Sequence, residues 1–270
     1  MAATFRWLPF LFAMIPNYYV IRRATWWLEQ ARFLLYKRKL TKEDLTFLEK
    51  YFFFYNKLNS PHKKEFLKKL EMILSSKKFV SRGGLQEVTS EMEVLISATI
   101  VMVTFGWKRL RLAHFHTILI YPNAYFSTSN KTYHRGEVNP RFGLIVVSWR
   151  CFVEGFLDEN DGINLGIHEI AHALKLANQI DSDGEKEFEA QAWKAYKCLV
   201  PFELERVKSG ENSLFREAAT LNEHEFFAVS LENFFERPWE FFNTRPELYL
   251  SLVRLLKQDP RVWENAKLVK

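Results

Sequence analysis

In the string Asn164-Leu165-Gly166-Ile167-His168-Glu169-Ile170-Ala171-His172-Ala173-Leu174, two histidines stand four positions apart with a glutamate beside the first. Residues four apart share one face of a helix, so both imidazoles can reach a single metal ion. Glu169 lies next to that face and can reach a metal-bound water without being a ligand, the spacing of HExxH zinc hydrolases. The chemistry this would support is hydrolysis of a peptide bond. Zinc polarises a water, Glu169 takes its proton as the hydroxide attacks the carbonyl, and the proton then passes to the leaving amine.

Zinc needs a third protein ligand. The metzincin extension is absent, since Lys175 and Asn178 stand where its Gly and last His would fall. Downstream, Asn222-Glu223-His224-Glu225-Phe226-Phe227-Ala228-Val229 continues to Glu236 as a helix whose Glu225, Val229, Glu232 and Glu236 share one side. A carboxylate among Phe226 and Phe227 is costly to bury unless it meets a cation, which favours Glu225 as the ligand. Glu223 and His224 compete for that role, or serve the helix start as capping and dipole residues. For an oxyanion donor, Tyr196, His224 and Arg245 are the candidates.

The elements that must position these groups read as a mainly helical chain with a minor sheet. Asn164 is a good N-cap for the histidine helix. Further helices are expected from Thr41 through Phe54, from Ser60-Pro61 through Leu74, and over residues 92–105 behind Thr89 or Ser90, with Gly83-Gly84 as a break. Thr117–Tyr121 and Leu144–Trp149 are rich in β-branched residues and read as strands. Residues 123–139 read as a long polar loop. The strand Leu144–Ser148 directly precedes the histidine helix and is either an exposed edge that could take an extended peptide or an interior strand. The fold class is α+β, predominantly helical, divided as an amino-terminal helical region (residues 1–78) packed on a core (residues 79–270).

Composition sets the outer limits. The chain has 270 residues, 48% hydrophobic and 16% aromatic, enough to fold a large core and exclude disorder. The formal charge of +6 is unevenly spread, with 20 basic and 9 acidic side chains in residues 1–120 against 18 and 23 in the remainder. The lysine pairs Lys63/Lys64, Lys68/Lys69 and Lys77/Lys78 read as the solvated face of an amphipathic helix, and no nucleic-acid motif accompanies them. Cys151 and Cys198 fit a reducing compartment as buried small hydrophobes. Residues 5–15 are apolar but too short to span a bilayer, and no cleavable leader is evident. The following Trp26, Trp27, Phe33 and Arg32 could touch a membrane surface, with core packing the favoured alternative.

Taken in order, Leu119-Ile120-Tyr121-Pro122, Gly136-Glu137, Val147-Ser148-Trp149, Asp161-Gly162-Ile163-Asn164, His168-Glu169-Ile170-Ala171-His172, Glu225-Phe226-Phe227-Ala228-Val229, Glu232-Asn233-Phe234-Phe235 and Gln258-Asp259-Pro260 resemble the Mlc titration factor A (glucose-regulated metallopeptidase) family. The resemblance runs from about Phe79 to Pro260 and more weakly upstream. It implies a cytosolic (cytoplasmic) zinc metallopeptidase of gluzincin type, possible as an aminopeptidase, with a zincin-like core and a short sheet before the HExxH helix. It implies one zinc ion held by His168, His172 and Glu225, with Glu169 as general base and a peptide or protein as substrate. The family is also linked to glucose-uptake regulation through binding of the Mlc repressor. The second expectation is therefore a regulatory factor that sequesters a protein partner and keeps a vestigial or structural zinc site. Its partner surface would be the basic amino-terminal helices or the helix around Tyr249 to Leu256. Two departures bear on activity: Glu217-Ala218-Ala219 replaces the family's Tyr-Ala-Ala string, and Lys175 stands where the family carries an Asp.

Overall fold

The computed structural model describes residues 38–108, 112–127, 131–180, 188–211 and 214–265. The amino-terminal stretch considered for membrane-surface contact, with Trp26, Trp27, Arg32 and Phe33, lies outside the described residues. Among those described, no helix is long and apolar enough to cross a membrane.

Among the described residues, helices α1 (Lys42–Tyr51), α2 (Phe53–Lys57) and α3 (Ser60–Ser76) come first. Thr41 caps α1 in a reciprocal box with Asp44, and Asn59 caps α3 with proline in its first turn. The expected single run to Phe54 is broken at Phe52, whose ring is buried against Phe66 and Phe156. Strand β1 (Lys78–Ser81) follows, then α4 (Ser90–Val103), which is buried at Met92 and from Val94 to Val103 and packs on α1, α3 and the histidine helix. A helix apolar all round belongs inside.

The sheet is completed by β2 (Thr117–Tyr121), β5 (Gly136–Asn139) and β6 (Leu144–Ser148), in the order β1-β2-β6-β5. β1, β2 and β6 run parallel, and β5 lies antiparallel to β6 with Gly136 opposite Val147. A separate hairpin pairs β3 (Tyr125–Ser127) with β4 (Thr132–His134). Residues 123–139 are thus largely strand rather than one long loop; segments of three or four residues with little apolar alternation give no periodic signal. The β6 strand is interior, between β2 and β5, so the edge role falls to β5.

After β6 come α5 (Trp149–Glu154) and a turn-rich stretch, then α6 (Leu165–Ile180), so the strand does not feed the histidine helix directly. Helix α7 (Ala190–Lys208), a 3-10 turn (Glu217–Thr220), α8 (Glu223–Glu236), α9 (Pro238–Thr244), α10 (Pro246–Leu256) and α11 (Pro260–Asn265) complete the chain. The result is α+β and predominantly helical, with small open sheets. One apolar cluster extends from Leu48 in α1 to Leu256 in α10.

Three surface expectations change. Lys69 is not on the solvated face: its ammonium is buried and donates to the Phe105 and Trp107 carbonyls at 2.6 and 2.9 Å. Tyr249, Leu252, Leu255 and Leu256 are packed inside, which removes the apolar face of α10 from any partner surface. Of the cysteines, Cys198 is exposed and Cys151 half-buried, so neither is a core hydrophobe.

Candidate metal centre

Asn164 begins the site. Its side-chain oxygen accepts from the Ile167 amide at 3.1 Å, capping α6 as expected. Its other groups tie α6 to α8: the backbone amide donates to Glu232 Oε1 at 2.9 Å and Nδ2 to Glu236 Oε1 at 3.0 Å. Nδ2 also donates to the Gly155 carbonyl at 2.8 Å. On α8, Asn222 caps the start by accepting from the His224 and Glu225 amides. Phe226, Phe227 and Phe234 are fully buried and fix the helix rotation that turns Glu225 and Glu232 toward α6.

His168, His172 and Glu225 converge. The two Nε2 atoms are 3.1 Å apart, Glu225 Oε2 is 3.4 Å from His168 Nε2, and Glu225 Oε1 is 3.2 Å from His172 Nε2. All three ligand atoms lie within 4.8 Å of one another. Bonds of about 2.1 Å to a tetrahedral ion place its ligands roughly 3.4 Å apart, which is close to these separations. Two imidazole nitrogens facing each other and a carboxylate need either protons or a cation between them. The donor set therefore fits a divalent metal. Glu223 and His224, the competing candidates, are outside this cluster.

The surroundings adjust the charges. Burial opposes the charged His168 ring, but the carboxylates of Glu225 and Glu232 outweigh it and lift His168 to about 10. The histidines hold Glu225 well below the usual carboxylate range. Burial pushes Glu169 up to about 7; His168 pulls against this, while Glu225, Glu232 and Glu137 reinforce it. Glu169 is packed against β5 so closely that a Cβ added at Gly136 would stand 2.4 Å from its Oε1. Nearby, the Tyr125 hydroxyl donates to Glu137 Oε2 at 3.0 Å.

Arg216 was not anticipated from the sequence. Its Nη2 is 2.6 Å from Glu232 Oε2, which in turn is 3.4 Å from His168 Nδ1. Arg216 Nη2 also lies 3.2 Å from His168 Nδ1. An imidazole that gives Nε2 to a metal carries its proton on Nδ1 and donates to a carboxylate, so Arg216 is matched to Glu232, not to the ring. A buried Glu232 on the ligand helix demands a cation; that was the available signal. Lys175, at the position where an Asp is expected, donates to the Glu223 carbonyl at 2.6 Å and is lowered to about 8 by burial.

Of the oxyanion candidates, His224 lies near enough to His172 and Glu225 to interact with them electrostatically, whereas Tyr196 and Arg245 are engaged elsewhere. Tyr196 is buried under Trp193 and Phe227, and Arg245 pairs with Glu203 at 3.1 Å.

Comparison with known proteins gives the chain's relatives. It is 24% identical over 229 residues to "Mlc titration factor A" of Yersinia pestis (strain Pestoides F), covering 77% of this chain and 84% of the relative. The same values hold for "Mlc titration factor A" of Yersinia pseudotuberculosis serotype O:3 (strain YPIII). These relatives are named for titrating a factor, not for cleaving a substrate, and the His/His/Glu cluster, which takes its carboxylate from a second helix as expected, does not of itself make a peptidase. The relatives' names correct the expectation of an active zinc metallopeptidase, aminopeptidase or otherwise. The reading of the HExxH string as the signature of a hydrolase or protease falls with it. Residues 24–257 match the family described as "Glucose-regulated metallo-peptidase M90", and the chain belongs to that family.

Proposed function

We propose that this protein is a regulatory binding factor that sequesters a protein partner, on a scaffold that keeps a metal site for structural reasons. The observation that carries the reading is its similarity, over 77% of the chain, to proteins named as titration factors. The absence of the Tyr-Ala-Ala string accords with it. The partner we favour is a transcriptional repressor of the kind the relatives' name points to, Mlc.

In this reading the metal is one zinc ion per chain, ligated by His168, His172 and Glu225. When bound, zinc would supply a fixed positive charge that joins α6 to α8. Glu232 would accept from His168 Nδ1 and set the ring's tautomer, and Arg216 would neutralise Glu232. We read residues 79–270 as a zincin-like core with residues 1–78 as a helical region packed on it, acting in the cytoplasm.

The test is direct mixing with purified Mlc-type repressor, followed by analytical ultracentrifugation. A stoichiometric complex is expected with the wild type, equally strong with Glu169→Gln. No complex at tens of micromolar would overturn the proposal.

A further inference from the structure

A second cavity, of about 410 Å3, shares no lining residue with the one around the metal cluster. Phe52, Phe54, Phe156 and Phe235 form its aromatic walls, and Glu159 and Glu236 are its acids. Its size falls within the range of small-molecule sites. Two of the rings, Phe52 and Phe156, are tilted together with centroids 5.7 Å apart.

Glu236 is the unusual group. It is 8% exposed, and Oε1 accepts from Asn164 Nδ2 at 3.0 Å. Oε2 is buried with no hydrogen-bond partner, while the Gly162 amide also acts on the carboxylate. A buried carboxylate oxygen without a donor is costly, and a cation placed beside it removes that cost. Lys57 also lines the cavity, but its ammonium stands 4.2 Å over the Phe53 ring and acts electrostatically on Glu159.

We propose that this cavity binds a small organic ammonium compound, an apolar or aromatic body bearing one amine, with the ammonium at the Glu236 carboxylate and the body against the phenylalanine rings. Aromatic faces attract cations, and a charge-assisted hydrogen bond to the carboxylate fixes orientation. An anionic ligand would meet two acids. A bare metal ion would find mostly phenylalanine where it needs oxygen, and the Asn164 side chain is already committed to Gly155, Glu236 and the Ile167 amide. The electrostatics agree. Burial, with Asp161 and Glu232 adding to it and the Asn164 bond opposing, pushes Glu236 up to about 8. A bound ammonium stabilises the ionised carboxylate, so binding near neutrality releases a proton.

Titration calorimetry with benzylamine and its neutral isostere benzyl alcohol tests the site. We expect saturable benzylamine binding, at least about tenfold tighter than benzyl alcohol, from the ion-pair and ring contributions. Its heat should vary with the ionisation enthalpy of the buffer. Glu236→Gln, which keeps the acceptor for Asn164, should erase the preference for the amine, and Phe156→Leu should weaken both ligands. Melting curves establish that each variant is folded. An unchanged preference in Glu236→Gln, or no saturable binding of benzylamine up to 10 mM, would overturn the proposal.

Discussion

Replacing Arg216 by Ala isolates the charge arrangement behind the metal cluster. Glu232 is 1% exposed and has three polar neighbours: Arg216 at 2.6 Å, the Asn164 amide at 2.9 Å and His168 Nδ1 at 3.4 Å. Two unit charges at that closest distance attract by roughly 6 kcal/mol at an effective dielectric of 20, which is a ceiling. The Arg216 side chain is 33% exposed, so water screens part of this. Breaking a buried pair by removing one partner costs about 3–5 kcal/mol, and the lower figure, about 3 kcal/mol, suits a half-buried arginine. In a chain of this size each kcal/mol lowers the melting temperature by roughly 2–4 °C, giving a drop of about 6–12 °C.

Scanning calorimetry on the metal-free protein measures this drop, and a double-mutant cycle identifies its cause. Glu232→Gln retains an acceptor for the Asn164 amide while removing the charge. The double variant Arg216→Ala/Glu232→Gln should therefore recover most of what Arg216→Ala loses. If Arg216→Ala melts within about 2 °C of wild type, or if the double variant is as unstable as the sum of the singles, the assignment of Arg216 to Glu232 is wrong.

Zinc added to chelator-treated protein should raise the melting temperature in a concentration-dependent way, about 2.7 kcal/mol at a hundredfold excess over Kd. His168→Ala should abolish that response, and a persisting shift would remove His168 from the ligand set. Gly136→Ala would place a Cβ 2.4 Å from Glu169 Oε1, with Cδ and Cγ at 2.6 and 2.7 Å, so a loss of about 1–3 kcal/mol is expected in urea unfolding. An unchanged midpoint would show that Glu169 is free to move aside. Glu236 is raised from 4.5 to about 8, so its favourable contribution is complete below about pH 4.5 and lost as pH rises through about 8. The stability of Glu236→Gln relative to wild type should accordingly grow from pH 5 to 8, by a few kcal/mol at most, and level off above. Parallel melting curves over that range would contradict this.

Some of this was legible in the sequence because local signals and tertiary need coincide. Asn164 ahead of an apolar periodic run gives a helix, and four-residue spacing puts His168 and His172 on one face whatever else the chain does. Glu225 was reachable because a carboxylate among phenylalanines needs a cation. Other features depend on contacts distant in sequence. Strand β5 exists through pairing with β6, and its four residues have no pattern of their own. Lys69 has the same local surroundings as its neighbour Lys68, yet the carbonyls of Phe105 and Trp107 draw it inward. Arg216 precedes Glu217-Ala218-Ala219, where only a missing tyrosine drew notice.

The clamp at Asn164 explains how the candidate metal cluster is held without dependence on an oxyanion donor. Glu225, Glu232 and Glu236 occupy one side of α8. Asn164 holds the last two from the start of α6, through its backbone and its side chain. That grip sets both the rotation and the height of α8 against α6, which brings Glu225 opposite His168 and His172. The ligand geometry is thus a consequence of how two core helices are joined. Loss of an oxyanion donor leaves this junction intact, whereas loss of Asn164, Glu232 or Arg216 strikes the fold and the ligand geometry together. A protein retained for binding a partner would still be required to keep these residues.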